Sequence, residues 1–187
     1  MQKKAPGEAP GEQSTKRGGG GDKSQAKRNF AALQIFITEK STKFEGVHME
    51  CVVRWAGPET MSFIAETGSG HSFVMDGAPE GGGRDLAPRP MEALLAGAAA
   101  CTAYDVVLIL RKSGQDVHRC EVEARAIRAE TDPKVFTEIN LIFKVRGKDL
   151  KASLVERAIE LSRSKYCSAI GMLRMSAVIN TGYQVRP

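Results

Sequence analysis

Hydrophobic positions along the chain change their period several times, and each change marks an element. MECVVRWA (49–56), MSFIAET (61–67) and HSFVMDG (71–77) are short apolar and β-branched runs, broken at Gly57-Pro58 and at the Gly-Ser-Gly of 68–70. The pattern predicts three short strands joined by turns. APEGGGRDLAPR (78–89) has no period and reads as a loop. Pro90 then opens PMEALLAGAAACTAYDVVLILRKSG, with Arg111 and Lys112 near its end and Gly114 after them. Proline at the first turn, cations in the last and glycine beyond are helix start and stop signals. The run is apolar nearly all the way round, which predicts a helix buried on most sides.

Alternation returns in HRCEVEARAIRAE (118–130), with Cys120, Val122, Ala124 and Ala126 on one side and Glu121, Glu123 and Arg125 on the other. FTEINLIFKVRG (136–147) repeats it: Phe136, then, after a shift, Ile139, Leu141, Phe143 and Val145. With Asp132-Pro133 between them the two runs read as a long hairpin with one wet face. From Asp149 to Lys165, Leu150, Leu154, Val155, Ala158 and Leu161 recur at helical spacing. KYC (165–167) interrupts that helix, SAIGMLRM (168–175) makes a short one, and AVINTGYQV (177–185) closes the chain as a strand. The order predicts an α+β fold, antiparallel sheet with helices on one face and the alanine-rich helix at the centre.

That helix has the length of a membrane span, but Glu92 and Asp105 lie inside it and its first half is mostly alanine. Two carboxylates and weak hydropathy argue for a core helix, and so for a cytoplasmic protein with no membrane partner. Ala96, Gly97, Ala98, Ala99 and Ala100 allow another backbone to approach closely. A helix apolar on so many sides exceeds what one small sheet can cover, and a homodimer is expected.

Charge divides the 187-residue chain unevenly. Residues 1–48 hold nine Lys/Arg against five Asp/Glu, whereas 49–187 hold eighteen against seventeen. The formal charge of +5 therefore belongs to the first segment, and a nucleic-acid partner is not expected for the rest. Between Met1 and Phe30 no apolar residue exceeds alanine in size. Such a stretch cannot offset its chain entropy by burial, so 1–48 reads as a disordered basic extension without the apolar core of a secretory signal. The folded unit is expected at 49–187, with Met49 a candidate natural start.

Four cysteines, Cys51, Cys101, Cys120 and Cys167, form no CxxC pair, and His48, His71 and His118 are scattered. No metal and no cofactor are expected on that pattern. Cys51 and Cys120, on strands, read as packing residues. Cys101 and Cys167 share a different setting, each in or beside a helical segment and flanked by small residues. Cys167 precedes the start of a short helix and follows Lys165 by two residues, two influences that favour thiolate.

Three segments, PMEALLAGAAACTAYDVVLIL, FTEINLIFKVRGKDL and SRSKYCSAIGML, together resemble the OsmC/Ohr family, and more closely its branch of small OsmC-like proteins. The resemblance spans about residues 49–187. It implies an intertwined homodimer with two sites at the subunit interface, and a thiol-dependent peroxidase that reduces organic hydroperoxides in oxidative-stress defence. By position Cys101 matches the peroxidatic cysteine and Cys167 the resolving one. A small hydrophobic hydroperoxide is the implied substrate, and a thiol reductant of unassigned identity the implied electron donor. In the family an arginine holds the peroxidatic thiolate and a glutamate next to the helix-opening proline orients it. Here Met91 follows Pro90 and the carboxylate, Glu92, comes one residue later, about 100° round a helix. Arg54 and Arg84 are the candidates for the arginine. His71, at the start of a strand, is a further candidate site residue. Tyr104 and Asp105, a turn past Cys101, are candidates for supporting groups or interface contacts. The alternative function is a non-catalytic OsmC-like dimer that binds a hydrophobic small molecule in its interface cleft.

Overall fold

Alternation in the second half of the chain is where the core is made. The computed structural model describes residues 49–186; the expected disordered extension at 1–48 lies outside the described residues. Three strands come first, β1 (Cys51–Trp55), β2 (Phe63–Thr67) and β3 (Ser72–Met75), followed by the helix α1 (Pro90–Lys112). Then come β4 (Asp116–Arg128), β5 (Phe136–Lys148), α2 (Ala152–Leu161), a π-turn (Ser162–Tyr166), α3 (Ser168–Leu173) and β6 (Val178–Arg186). Two three-stranded sheets result, β1-β2-β3 and β4-β5-β6.

The second sheet is built on β5. Ile139, Leu141, Phe143 and Val145 are buried, as a period of two with one inward face requires. The shift in phase after Phe136 is a register irregularity in the β4–β5 ladder, between Ile127 and Arg128, which lets both Phe136 and Ile139 point inward. Burying Phe143 and its neighbours at about 25 cal/mol per Å² is the main favourable contribution of this layer.

One pairing departs from the expected antiparallel arrangement. β6 runs parallel to β5, Glu138 opposite Val178 through Arg146 opposite Arg186. A parallel neighbour needs a crossover, and residues 149–177, with α2, the π-turn and α3, supply it.

The central helix also differs from its sequence reading. Pro90 opens it and Gly114, at φ 73°, follows its end, as expected. Burial, however, follows one stripe, Ala98, Ala99, Thr102, Val106 and Leu110, packed against β4 and the later helices. Leu94 and Tyr104 stay exposed, and a Cβ built on Gly97 would meet nothing within 4 Å. The described residues supply one layer, so Ala96, Gly97 and Ala100 are left open rather than closely approached. By length and a mean hydropathy of 2.0 this helix could cross a membrane. Its buried stripe instead joins it to the sheet and helices of the core.

Candidate functional site

Cys101 and Cys167 reach one place by different routes. Cys101 is half-buried on α1, next to the stripe that faces the core. Cys167 comes from the crossover. There α2 does not run on to Lys165 as its spacing suggested; it ends at Leu161 and widens into the π-turn. The Cys167 N–H donates to the Ser162 carbonyl at 2.9 Å, closing that wide turn, and Cys167 then caps α3. Single π-turns of this kind re-aim the residues after them. The thiol is buried, 4% exposed.

Both cysteines belong to one packed region, Cys167 in the core cluster and Cys101 against it, although the residues are far apart in sequence. Burial pushes the Cys167 thiol up to about 11, and a hydrogen bond from the Ile170 backbone opposes this only in part. Cys101 and the Asp105 carboxylate push it further the same way. The expectation that Lys165 and the helix start favour thiolate at Cys167 is thus corrected. Loss of water at a buried sulfur outweighs the α3 terminus, and Lys165 lies over the Tyr166 ring, 5.4 Å from its centroid.

Beside the thiols lies a small polar knot. The Ser162 hydroxyl donates to Asp105 Oδ2 at 3.0 Å and shares a 2.8 Å hydrogen bond with the Thr102 hydroxyl. Ser162 and Thr102 are fully buried. Asp105 stands four residues after Cys101, so both lie on one helix face. Tyr104, its sequence neighbour, is exposed.

The other candidates are engaged elsewhere within the chain. Glu92 accepts a 2.9 Å hydrogen bond from the Arg89 N–H at the start of α1, where an acidic group suits the helix dipole. Arg54 on β1 pairs with Glu66 on β2 at 2.6 Å. The Arg84 guanidinium donates to the Glu59 carbonyl at 3.0 Å. His71 is exposed, its Nδ1 3.2 Å from the Ser69 hydroxyl. Cys120 is half-buried against the core, whereas Cys51 is exposed, contrary to its reading as a packing residue, because nothing among the described residues covers β1.

Two groups that matter were not singled out from sequence. Ser162 carries no local signal in SRSKYC. Asp76 does: it ends β3 before a glycine-rich loop full of free N–H donors. Fully buried, it accepts hydrogen bonds from the Ser62 hydroxyl and from the Gly77, Arg84 and Leu86 N–H groups. These bonds, Leu86 first, hold its carboxyl below the ordinary range. The loop they organise admits only glycine at 83, where a Cβ would lie 1.8 Å from the Gly77 carbonyl oxygen.

An apolar groove of about 400 Å³ runs along the open side of α1, lined by Glu92, Leu95, Ala96, Ala99, Ala100 and Ala103 with Val122 and Ala124 of β4. Among the described residues no three His, Cys, Asp or Glu side chains come together as a metal-binding group.

Comparison with known proteins follows the same geometry. Residues 81–182 match the family described as OsmC-like protein. Protein YhfA of Escherichia coli K12 is 45% identical over 137 residues, 73% of this chain and 98% of that protein. The crystal structure of a hypothetical protein from Aquifex aeolicus superposes with a TM-score of 0.65 at 26% identity, covering 75% of this chain and 98% of that one. An organic hydroperoxide resistance protein from Legionella pneumophila shares the fold at a TM-score of 0.55 and 16% identity, covering 74% and 98%.

Proposed function

The chain belongs to the OsmC-like protein family, and from its paired thiols we propose that it is a thiol-dependent peroxidase acting on organic hydroperoxides. The observation that carries this reading is the packing of a half-buried Cys101 against the core cluster that holds a buried Cys167. The organic hydroperoxide resistance proteins that share its fold support it. The Cys101 thiolate attacks the terminal peroxide oxygen. An S–O bond forms, the O–O bond breaks, and the alkoxide leaves with a proton as alcohol, giving sulfenic acid. Cys167 then attacks that sulfur; an S–S bond forms and hydroxide leaves with the thiol proton as water. A thiol reductant returns the disulfide to two thiols. A second thiol within reach matters because sulfenic acid over-oxidises unless it is trapped.

The working unit in this reading is a soluble, cytoplasmic homodimer of the 49–187 domain. The sheet β1-β2-β3 leaves Val52, Val53, Trp55, Phe73 and Val74 exposed, and the open side of α1 is also largely apolar. Arg54 or Arg84, oriented by Glu92, supplies the cation for the thiolate once the dimer closes, with His71 at the rim. The groove on α1 also favours a second reading, a non-catalytic dimer that holds a hydrophobic small molecule.

Mass spectrometry after treatment with a bulky alkyl hydroperoxide separates the two. An intramolecular 101–167 disulfide should form, faster than with hydrogen peroxide. Cys167→Ser should let Cys101 over-oxidise, and Cys101→Ser should abolish turnover. Both thiols still free after treatment would overturn the peroxidase in favour of the ligand-binding dimer.

A further inference from the structure

We propose that Asp105, acting through Ser162 and Thr102, is a positioning residue for the thiol pair: it pins the π-turn that carries Cys167 to the helix that carries Cys101. The inference rests on the working pair proposed above. Its geometry is a continuous path. Asp105 Oδ2 accepts from the Ser162 hydroxyl at 3.0 Å, that hydroxyl meets Thr102 at 2.8 Å, and the Ser162 carbonyl holds the Cys167 N–H at 2.9 Å. Thr102 and Asp105 leave α1 one and four residues after Cys101. The same short knot therefore touches the backbone of both thiol-bearing elements. A buried hydroxyl pair is retained only when satisfied, and here a single carboxylate satisfies it.

The knot also makes the two sulfurs unequal. Cys101 is half-buried and reachable; Cys167 is buried. Burial raises the Cys167 thiol most, and the neighbouring Cys101 and Asp105 push it the same way. Two cations of the π-turn are committed elsewhere, while Arg174, at the end of α3, lines a pocket with Ile170 and Arg163. Arg163 of the π-turn is held by Glu160 at 2.7 Å, and Lys165 lies over Tyr166. Arg111 and Lys112 stand beyond Asp105 in the last turn of α1. On α2, Glu156 accepts from Tyr183 of β6. With attack left to Cys101, Cys167 keeps its proton until the sulfenic oxygen departs and takes it as water.

The test needs no peroxide, which separates it from the peroxidase reading. In the reduced full chain, site-resolved alkylation with iodoacetamide from pH 7 to 11 should label Cys101 well before Cys167. Asp105→Asn should bring the Cys167 midpoint down. Asp105→Glu should restore most of the difference. Diamide, which takes two hydrogens from the thiol pair, should form the 101–167 disulfide about tenfold more slowly in Ser162→Ala than in Ser162→Thr, once the π-turn is unpinned. An unmoved Cys167 profile in Asp105→Asn, with only a lower melting temperature, would overturn the proposal. So would undiminished disulfide formation in a folded Ser162→Ala. If alkylation shifts as expected while hydroperoxides leave both thiols free, the positioning role stands and the peroxidase falls.

Discussion

The two three-stranded sheets of this protein use similar residues to opposite effect. In β4-β5-β6 the apolar side of the central strand β5 is closed over by helices, and Ile139, Leu141, Phe143 and Val145 are shut off from solvent. In β1-β2-β3 the residues are equally apolar, yet every side chain of β1 is exposed and Trp55 is 53% exposed. Ala65 is the one well-buried residue of β2. The difference lies in what each sheet is given to pack on. A three-stranded sheet needs a covering layer, and the described residues contain one layer of helices for two sheets. Among the described residues this sheet has no complement, which is why the dimer enters the proposed function.

The largest effect should come from the closed sheet. Phe143→Ala removes a fully buried ring and should cost about 3–5 kcal/mol in denaturant unfolding, independent of protein concentration. The same truncation at Trp55 should cost the folded chain little but weaken self-association by about 2 kcal/mol, read by sedimentation equilibrium and by a melting temperature that falls with dilution. If Trp55→Ala behaves as Phe143→Ala does, at all concentrations, the contrast between the sheets collapses.

The two regions should also fail at opposite ends of the pH scale. Cys167 is raised, so the folded body holds its proton more tightly than the unfolded chain does. The stability tied to that proton is complete below the ordinary thiol range, and is lost as pH rises toward about 11. Asp76 is lowered, so its contribution is present above the ordinary carboxylate range and is lost as pH falls through the folded value. Proteolysis should therefore open the 77–89 loop beside the first sheet only below about pH 4, while near-neutral pH leaves both regions closed. Cleavage of that loop at pH 6 would contradict the role given to Asp76.

The smallest effect is expected at Glu92. Its bond to the Arg89 N–H caps α1, and Glu92→Gln should cost about 0.3–1 kcal/mol in melting experiments on the body. A much larger loss of hydroperoxide turnover than of stability would point to the second role given to Glu92, orienting an arginine at the thiol.

These contrasts explain which features could be read from the sequence. The strands, the long helix with Pro90 and Gly114 at its ends, and even the phase shift after Phe136 depend on local periodicity, and the chain displays it. The proposed partnership of Cys101 with Cys167 rests on family resemblance, since no spacing rule joins residues so far apart. The parallel pairing of β6 was hidden, because strand direction depends on how the crossover folds and leaves no mark on alternation. The half-open state of α1 was hidden for a related reason. An apolar helix looks the same in sequence whether its covering layer comes from its own chain or from another. Ser162 was invisible because its significance arises only where the π-turn meets Asp105, and Cys167 was misjudged because a helix start is legible in sequence while the depth of burial is not.

The parallel strand has one more consequence, and it concerns time. A β5–β6 ladder cannot form until the whole stretch between them has closed, so it is a long-range and slow contact in folding. Cys167 is carried by that stretch. The hairpin β4-β5 and the helix with Cys101 can assemble from nearer contacts while the second thiol is still loose. The pair is therefore completed only when the last strand docks, and a chain emerging or refolding has a period in which Cys101 is already in place without its partner. Refolding in a mild oxidant should trap mixed disulfides at Cys101 during that interval, and none after it.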